Sequence, residues 1–383
     1  MKFRSPFFLF SQSENNTVVR VSLVISLTFS SNSEKPQTDT KNMTKLTLFT
    51  DLIGIIKDKA SQSKAVLLSK PTTLSLLRAT THNSFTPPTH KHISTLLSSS
   101  DGSRATASSF LELLMDRLQN TNNAAVALKS LIVVHHIISH GSFILQDQLS
   151  VYPSTGGRNY LNLSNFRHNT NPTSWELSSW VRWFAQHIEN ILCTSRILGF
   201  FFLAKSLTDG EERVSGLTNG DLLKEFDSLV TLVEGICKRP NHVSNEGNKN
   251  RDKNRDKDKN KLVDEIVNLV SEDWVVIESV VIVEVDEFKE RLGCFEFGEA
   301  VELVCCLKRL EECRERVVMI LESQQRLWDL VSDVKDKVGM EVYKEKGKVQ
   351  KEGRKLRFSE SDRFSSRVIN SRDSLWFPSG RLL

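Results

Sequence analysis

Residues 174–202 read SWELSSWVRWFAQHIENILCTSRILGFFF, and their apolar side chains recur at every third or fourth position. That spacing places Trp180, Phe184 and Ile188 on one face of an α-helix, with polar residues on the other faces. We therefore predict a helix here. We assign Trp180, Trp183 and Phe184 to core packing, because aromatic stripes on helices are usually buried.

Helical spacing continues along the chain from Leu46 onward. The 383 residues include only 9 Pro and 17 Gly, so few positions favour the turns that separate short strands. The sequence therefore predicts an all-α fold, with helices near residues 46–60, 71–78, 88–98, 104–118, 122–140, 174–206, 218–236, 262–282 and 296–338. The polar links between them are short, which favours antiparallel neighbours stacked into a solenoid or a bundle.

The last of these helices is predicted to be long and amphipathic. Its sequence, VELVCCLKRLEECRERVVMILESQQRLWDLVSDV, places one apolar stripe opposite charged residues. A stripe of this length must dock on the rest of the domain. Its members are Leu303, Leu307, Leu310, Cys313, Val317, Leu321, Trp328 and Val331.

The domain boundaries follow from composition. Residues 43–338 are predicted to form one helical domain. Residues 245–261 are predicted to form a charged flexible loop within it, since NEGNKNRDKNRDKDKNKL has almost nothing apolar to bury. Residues 339–383 are predicted to be a flexible tail. Residues 1–42 are predicted to be disordered or a gene-model extension: their two apolar runs imitate a targeting signal poorly, and neither reaches the ~18 apolar residues that span a bilayer. We expect no transmembrane segment in the chain.

Several function classes receive no support from the sequence. A net charge of +4 is too small to indicate a nucleic-acid partner. The six cysteines contain no Cys-x-x-Cys pair, so we expect reduced thiols and no disulfides. No catalytic or phosphate-loop motif is present, which favours a protein that is not an enzyme and has no cofactor. His136 and His140 have the spacing of two metal ligands on a helix, but no third ligand is visible, so hydrogen-bonded helical histidines are the favoured interpretation.

One local stretch, RATTHNSFTPPTHKH (residues 78–92), concentrates basic side chains at a turn between two helices. Pro87 and Pro88 favour the start of the next helix, so His90, Lys91 and His92 fall in its first turn. Free backbone N–H groups and the positive end of the helix dipole also lie there. Arg78, at the end of the preceding helix, can converge on the same patch. Such a cluster suits the phosphates of an inositol headgroup.

The order of these stretches resembles the ANTH family, the phosphoinositide-binding N-terminal domain of clathrin assembly proteins, and its plant members in particular. The resemblance covers roughly residues 45–335 and implies an ANTH/ENTH-like solenoid of stacked helices. It is carried by DLIGIIKDKASQSKAVLL (51–68), LLRATTHNSFTPPTHKHI (76–93), ALKSLIVVHHIISHGSFIL (127–145), YLNLSNFRHNT (160–170) and WVRWFAQHIENIL (180–192).

The family's lipid motif is a Lys, nine residues, a second Lys, one residue, Lys or Arg, and then His or Tyr. Carried onto this chain, Arg78 takes the first place, Lys91 the third basic place and His92 the last. The lipid-binding residues implied are therefore Arg78, His90, Lys91 and His92. Thr89 stands where the second lysine is expected, and the loop holds one extra residue. Arg78 keeps the charge, and its planar fork suits phosphate.

The resemblance implies a peripheral membrane adaptor that binds phosphatidylinositol 4,5-bisphosphate during clathrin-coated vesicle assembly and endocytosis. It would act on the cytoplasmic face of membranes, at coated pits and vesicles, the plasma membrane or the Golgi apparatus. The partners implied are clathrin and its adaptors, with an R-SNARE as one cargo. Because Thr89 weakens the motif, the alternative is a helical protein-interaction scaffold in vesicle trafficking with a decayed lipid site.

Two further segments bear on membrane and clathrin binding. Because a few cations supply only weak attraction, an amphipathic segment at 46–60, with Leu52, Ile53 and Ile56 opposite Lys57 and Lys59, is expected to add membrane contact. The chain contains no Asn-Pro-Phe or Asp-Pro-Phe motif. Its one clathrin-like triplet, Asp221-Leu222-Leu223, lies in a predicted helix, where we expect the leucines to be core.

Overall fold

The computed structural model describes residues 39–68, 70–153, 159–170, 172–204, 210–241, 260–321 and 323–342, with the backbone alone for 39–51. The chain divides into two compact units, residues 1–53 and residues 54–383. The described part of the first unit, residues 39–53, is helical. The predictions for residues 1–38, for the charged loop at 245–259 and for the tail beyond 342 lie outside the described residues.

The described residues form helices joined by short links and contain no strand, which confirms the all-α prediction. In chain order the helices are α1 Asp39–Leu67, α2 Pro71–Ala79, α3 His90–Ser100, α4 Arg104–Asn120, α5 Ala124–His140, α6 Phe143–Ser150, α7 Pro172–Leu198, α8 Gly210–Ser215, α9 Asn219–Cys237, α10 Lys261–Glu290, α11 Phe297–Ile320 and α12 at 325–342.

Helices of the second unit stack in chain order, as expected for a solenoid. Helix α2 packs on α3, α4 on α5 and α6, α5 on α7, α7 on α9, and α9 on α11. One buried apolar cluster extends from Leu76 on α2 to Val338 on α12. Burial of this surface is the main stabilising term, because each apolar side chain removed from water contributes roughly 1.5–3 kcal/mol.

Helix α5 is the central element of this unit. Its residues from Ala124 to His135 are all buried, since α3, α4, α6, α7 and α10 pack around it. A helix surrounded on all sides needs apolar residues on all faces, which explains why its sequence lacks an amphipathic stripe. Lys129 is buried in this helix with 1% of its surface exposed.

The aromatic assignments on α7 are confirmed. Trp180 and Phe184 are fully buried, and Trp183 is nearly so. Trp183 donates its indole N–H to the Gly235 carbonyl of α9 at 2.9 Å, which satisfies its one polar group. Core packing therefore accounts for these three aromatic residues.

The predicted C-terminal helix is broken into two, so its predicted length was wrong. Helix α11 ends at Ile320, and Leu321 takes an extended conformation. The buried Glu278 of α10 causes the new start: its carboxylate accepts hydrogen bonds from Ser323 Oγ at 2.8 Å and from the Gln324 N–H at 2.7 Å. The apolar stripe is nevertheless buried at all eight predicted positions, from Leu303 to Val331.

Helix α7 also differs from its prediction, because it ends at Leu198 instead of continuing to residue 206. Gly199 adopts φ +79°, a left-handed conformation that terminates helices and favours glycine. Two short helices were not predicted, α6 and α8. The signal for α6 was Ser142, whose Oγ accepts from the Leu145 N–H as an N-cap.

A buried polar bridge joins three helices. Asp273 of α10 accepts hydrogen bonds from His135 Nε2 of α5 and His187 Nε2 of α7, each at 2.9 Å. Burial alone would raise the pKa of Asp273, but the two histidines lower it to about 2. The carboxylate is therefore ionised at neutral pH and serves as a fixed acceptor inside the core.

The six cysteines are all free thiols. Taken singly, none of the described helices is both long enough and apolar enough to cross a bilayer. Helices α5 and α6 pass the same test only as a pair, with a bend of 119° between them.

Candidate functional site

The basic stretch forms the α2–α3 link and the two helix ends that it joins. Helix α2 ends at Ala79, and α3 begins at His90, two residues later than predicted. Pro87 and Pro88 precede the helix instead of occupying its first positions. The placement of His90, Lys91 and His92 in the first turn of α3 is nevertheless confirmed.

Thr89 is the N-cap of α3. Its φ and ψ are −74° and 142°, and its Oγ1 accepts a hydrogen bond from the His92 N–H at 3.4 Å. Threonine at this position satisfies one of the free N–H groups that begin a helix. The residue at the place of the expected second lysine thus has a structural role.

Arg78 and the first turn of α3 lie within electrostatic range of each other. The pKa of His92 is lowered by burial and then by the charges of Arg78 and Lys91. His92 is half-buried, whereas Arg78, His90 and Lys91 are exposed. Among the described residues, no carboxylate lies within ion-pair distance of Arg78 or Lys91. The patch therefore presents unneutralised positive charge.

The link is held in place by two cations that sequence reasoning missed, the half-buried Arg117 and the buried Lys129. Arg117 of α4 donates to the Thr80 carbonyl at 2.6 Å and also to Thr80 Oγ1. Lys129 of α5 donates to Thr81 Oγ1 at 2.9 Å. Burial lowers the pKa of Lys129 to about 8, although the charge of Asp58 opposes the shift. The ammonium is therefore mostly protonated at neutral pH.

Helix α1 anchors the same link from another side. Asp58 accepts hydrogen bonds from the His82 N–H at 2.8 Å and from His82 Nδ1 at 2.7 Å. Burial alone would raise the pKa of Asp58, but the hydrogen bonds and charges of His82 and Arg117 lower it. A Cβ on Gly54 would lie 2.8 Å from the His82 Cβ, so the close approach of α1 to the link requires glycine.

We call the six residues Asp58, Thr80, Thr81, His82, Arg117 and Lys129 the anchor cluster. It holds one carboxylate and two cations, so its net charge is positive at neutral pH. Its hydrogen bonds fix residues 80–82, the part of the link that directly follows α2.

Apolar side chains are exposed on the link and on α1. Phe85 is 44% exposed, and its N–H donates to Asn83 Oδ1 at 2.9 Å in a tight turn. On α1, Ile55 and Ile56 are 53% and 58% exposed. The expectation that Lys59 lies opposite Ile56 was wrong, because both side chains are exposed and three residues apart on one helix.

Two other predicted candidates have different outcomes. His136 Nε2 is buried without a hydrogen-bond partner among the described atoms, so the expectation of a hydrogen-bonded histidine was wrong for this residue. Burial and the charges of His135, His140 and His90 lower the pKa of His136 to about 4, which keeps it neutral. The described residues hold no group of three side chains arranged to bind a metal ion.

The Asp221-Leu222-Leu223 triplet lies on α9, and both leucines are buried in the core. That prediction is confirmed. A clathrin-binding triplet must be accessible, so these leucines cannot serve as one while the domain is folded.

Comparison with known proteins agrees with the architecture. The model of the ANTH domain matches residues 72–268, just over half of the 383 residues. An Arabidopsis thaliana protein described as "Putative clathrin assembly protein" is 47% identical over 361 residues, covering 88% of this chain and 95% of the relative. Two more proteins from the same organism have that description. One is 33% identical, covering 74% of this chain and 82% of the relative. The other is 29% identical, covering 74% of this chain and 98% of the relative. This chain therefore belongs to the ANTH domain family.

Proposed function

We propose that this protein is a peripheral membrane adaptor of clathrin-coated vesicle assembly and endocytosis that binds phosphatidylinositol 4,5-bisphosphate through Arg78, His90, Lys91 and His92. The observation that carries the proposal is the convergence of Arg78 with the first turn of α3, where no described carboxylate neutralises the charge. Backbone N–H groups and cationic side chains together suit a phosphorylated headgroup.

The anchor cluster supports this assignment. A link tied down by Arg117, Lys129 and Asp58 keeps Arg78 and Lys91 at a fixed separation. Preorganised cations lose less conformational entropy on binding than cations on a mobile loop. The fixed arrangement of these cations therefore favours binding of an anion.

Charge alone gives modest affinity. Each cation near an anionic leaflet contributes about 1 kcal/mol, so Arg78 and Lys91 together account for about 2 kcal/mol, or roughly 30-fold in partitioning. Exposed Phe85 adds a second contribution if it enters the leaflet, about 1 kcal/mol for the part of its surface that is still in water. Ile55 and Ile56 can contribute in the same way.

The clathrin part of the proposal rests on the relatives, three of which are described as clathrin assembly proteins. Clathrin, clathrin adaptors and an R-SNARE cargo are the partners proposed. The sites of action proposed are the cytoplasmic faces of coated pits and vesicles, the plasma membrane and the Golgi apparatus. The one clathrin-like triplet, Asp221-Leu222-Leu223, has both leucines buried, so the lipid site carries the larger share of the argument.

The test is co-sedimentation of the full chain with phosphatidylcholine vesicles that contain or lack phosphatidylinositol 4,5-bisphosphate. The double variant Arg78→Ala, Lys91→Ala should lose about 30-fold in partitioning to the phosphoinositide vesicles. A matched double variant, Lys224→Ala with Lys308→Ala, removes two exposed lysines on α9 and α11 and should bind as the parent does.

A helical scaffold with a decayed lipid site is the second candidate, and Thr89 is the observation that favours it. The N-cap role of Thr89 leaves the patch one cation short of the family motif. Vesicle binding that does not depend on the phosphoinositide, and that is equal in the parent and in the Arg78, Lys91 variant, would reject the adaptor and select the scaffold.

A further inference from the structure

A second group of cations surrounds a cleft between α7, the segment 159–168 and the turn that follows α9. The cleft has a volume of about 360 Å³, and its polar lining includes Ser164, Ser179, Arg182 and Lys238. Apolar side chains from the same segment and from α7 also line it. A cavity of this size is larger than a single phosphate group and can admit a phosphorylated ring.

Two guanidinium groups meet at the edge of this cleft. Arg167 Nη1 donates to the Phe166 carbonyl at 2.7 Å, and Arg182 Nη1 donates to the same oxygen at 3.0 Å. Arg182 Nη2 donates to Ser179 Oγ at 2.9 Å. Burial and the charge of Arg167 lower the pKa of Arg182. Two like charges that share one neutral acceptor repel each other unless an anion lies between them.

No described residue neutralises this pair. Among the ion pairs of the described residues, none involves Arg167, Arg182 or Lys238. Arg239 follows Lys238 directly, and its Nη1 is buried without a hydrogen-bond partner among the described atoms. Burial and the neighbouring Arg316 lower the pKa of Arg239. The turn that follows α9 therefore carries positive charge that no described carboxylate neutralises, and Lys238 brings that charge to the cleft.

We propose that the cleft is a second anion site that binds a phosphate monoester through Arg167, Arg182 and Lys238. A phosphate dianion supplies several acceptor oxygens, which suits two guanidinium forks better than a single carboxylate does. Arg167 Nη1 also donates to the Ser164 carbonyl at 3.1 Å. The N–H groups that the two arginines do not use on Ser164, Phe166 and Ser179 remain to bind the phosphate.

The cleft is separate from the site at Arg78 and Lys91, but it is not remote. The pKa of His168, in the same segment as Arg167, is lowered by burial and by the charge of His82, which belongs to the α2–α3 link. The two segments are therefore within electrostatic range. The phosphate can belong to a lipid headgroup beside the first site or to a soluble inositol phosphate.

The experiment isolates the second site in the full chain by starting from the Arg78→Ala, Lys91→Ala background. Calorimetric titration with soluble inositol 1,4,5-trisphosphate measures one source of phosphate. Co-sedimentation with phosphatidylcholine vesicles that carry phosphatidylinositol 4,5-bisphosphate measures the other. Adding Arg167→Gln and Arg182→Gln should weaken whichever binding remains by at least about tenfold, the contribution of one charge-assisted hydrogen bond. Lys224→Gln with Lys308→Gln is the control with the same change of charge.

The outcomes separate the two sources. A loss in the titration alone assigns a soluble ligand, and a loss in the vesicle assay alone assigns a lipid headgroup. Arg182 also supports the loop at Phe166, so Lys238→Gln is tested as well. The Lys238 side chain is exposed and forms no described hydrogen bond, so this change should lower affinity several-fold without altering the helical content.

The inference is overturned if the arginine and control variants bind equally in both assays, or if the Arg78, Lys91 background has already lost all binding. The second result would leave the proposed function intact. Binding that the Arg78, Lys91 change weakens and the Arg167, Arg182 change weakens further supports both sites, whereas binding that the Arg78, Lys91 change leaves undiminished and the Arg167, Arg182 change abolishes would support this cleft and contradict the first site.

Discussion

Replacing Thr89 by lysine tests two roles of one position. In the family motif this place carries a lysine that faces the lipid, and in this chain it carries the N-cap of α3. Thr89→Lys should therefore strengthen membrane binding and weaken the fold at the same time. The two effects have different physical origins and can be measured separately.

The magnitudes follow from the local geometry. One added cation near an anionic leaflet contributes about 1 kcal/mol, or roughly fivefold in partitioning. Loss of an N-cap costs about 0.5–2 kcal/mol. The bond from the His92 N–H to Thr89 Oγ1 is long, at 3.4 Å, and exposed, so we expect the lower part of that range. A lysine at a helix N-terminus adds a further unfavourable ~0.3–1 kcal/mol from the dipole.

The assays are vesicle co-sedimentation and thermal unfolding of the parent, Thr89→Lys, Thr89→Ala and Thr89→Ser. The alanine variant loses the cap without gaining a cation, and the serine variant keeps the cap. We expect the lysine variant alone to bind more tightly, and both the lysine and alanine variants to unfold a few degrees earlier. If lysine and alanine give equal binding, Thr89 does not face the lipid, and its alignment with the family's second lysine is wrong.

Four further outcomes are expected. Phe85→Ala should lower vesicle binding about fivefold, and Phe85→Leu should lower it less, because the exposed ring is a membrane contact; equal binding would exclude that role. Burial, Arg78 and Lys91 lower the pKa of His92, so vesicle binding by the parent should rise only below pH ~6.5. His92→Gln should remove that rise, and a pH profile equal to that of the parent would contradict this. Asp273→Asn should lower the free energy of unfolding at pH 7 by about 3–5 kcal/mol, because it removes the buried carboxylate that two histidines share. The loss should be smaller at pH 2, near the folded-state pKa of Asp273, and denaturant titrations at both pH values measure the difference. Burial and Glu225 raise the pKa of Glu284, so the unfolded chain loses this proton more readily than the folded one. The free energy of unfolding of the parent should therefore fall as pH rises above ~4.3, and denaturant titrations should find a smaller fall in Glu284→Gln.

The apolar pattern predicted the helices well because helix burial is a local property of spacing. Residues Trp180, Phe184 and Leu307 are in the core, as their periodicity required. The break between α11 and α12 could not be predicted in the same way, because its cause is Glu278, about 45 residues away on α10. A pattern within one helix does not show which distant carboxylate will cap the next one.

The same limit applies to the candidate site. Arg78 and Lys91 stand out in the sequence because they lie within one short stretch, and the structure places them near His92. Lys129 offered a signal, a single lysine among apolar residues on α5, but its partner Thr81 is 48 positions earlier in the chain. Sequence reasoning finds residues that act together when they are neighbours, and it misses those that only the fold brings together.

The anchor cluster changes how the weakened motif should be judged. Counted along the sequence, the patch lacks one lysine and appears short of charge. In the fold, Arg117, Lys129 and Asp58 hold the link through hydrogen bonds. Cations on a fixed link lose less conformational entropy on binding than cations on a mobile loop. The affinity for an anionic headgroup therefore depends on the contacts that hold the link as well as on the surface residues, and a motif that records only the surface residues omits those contacts.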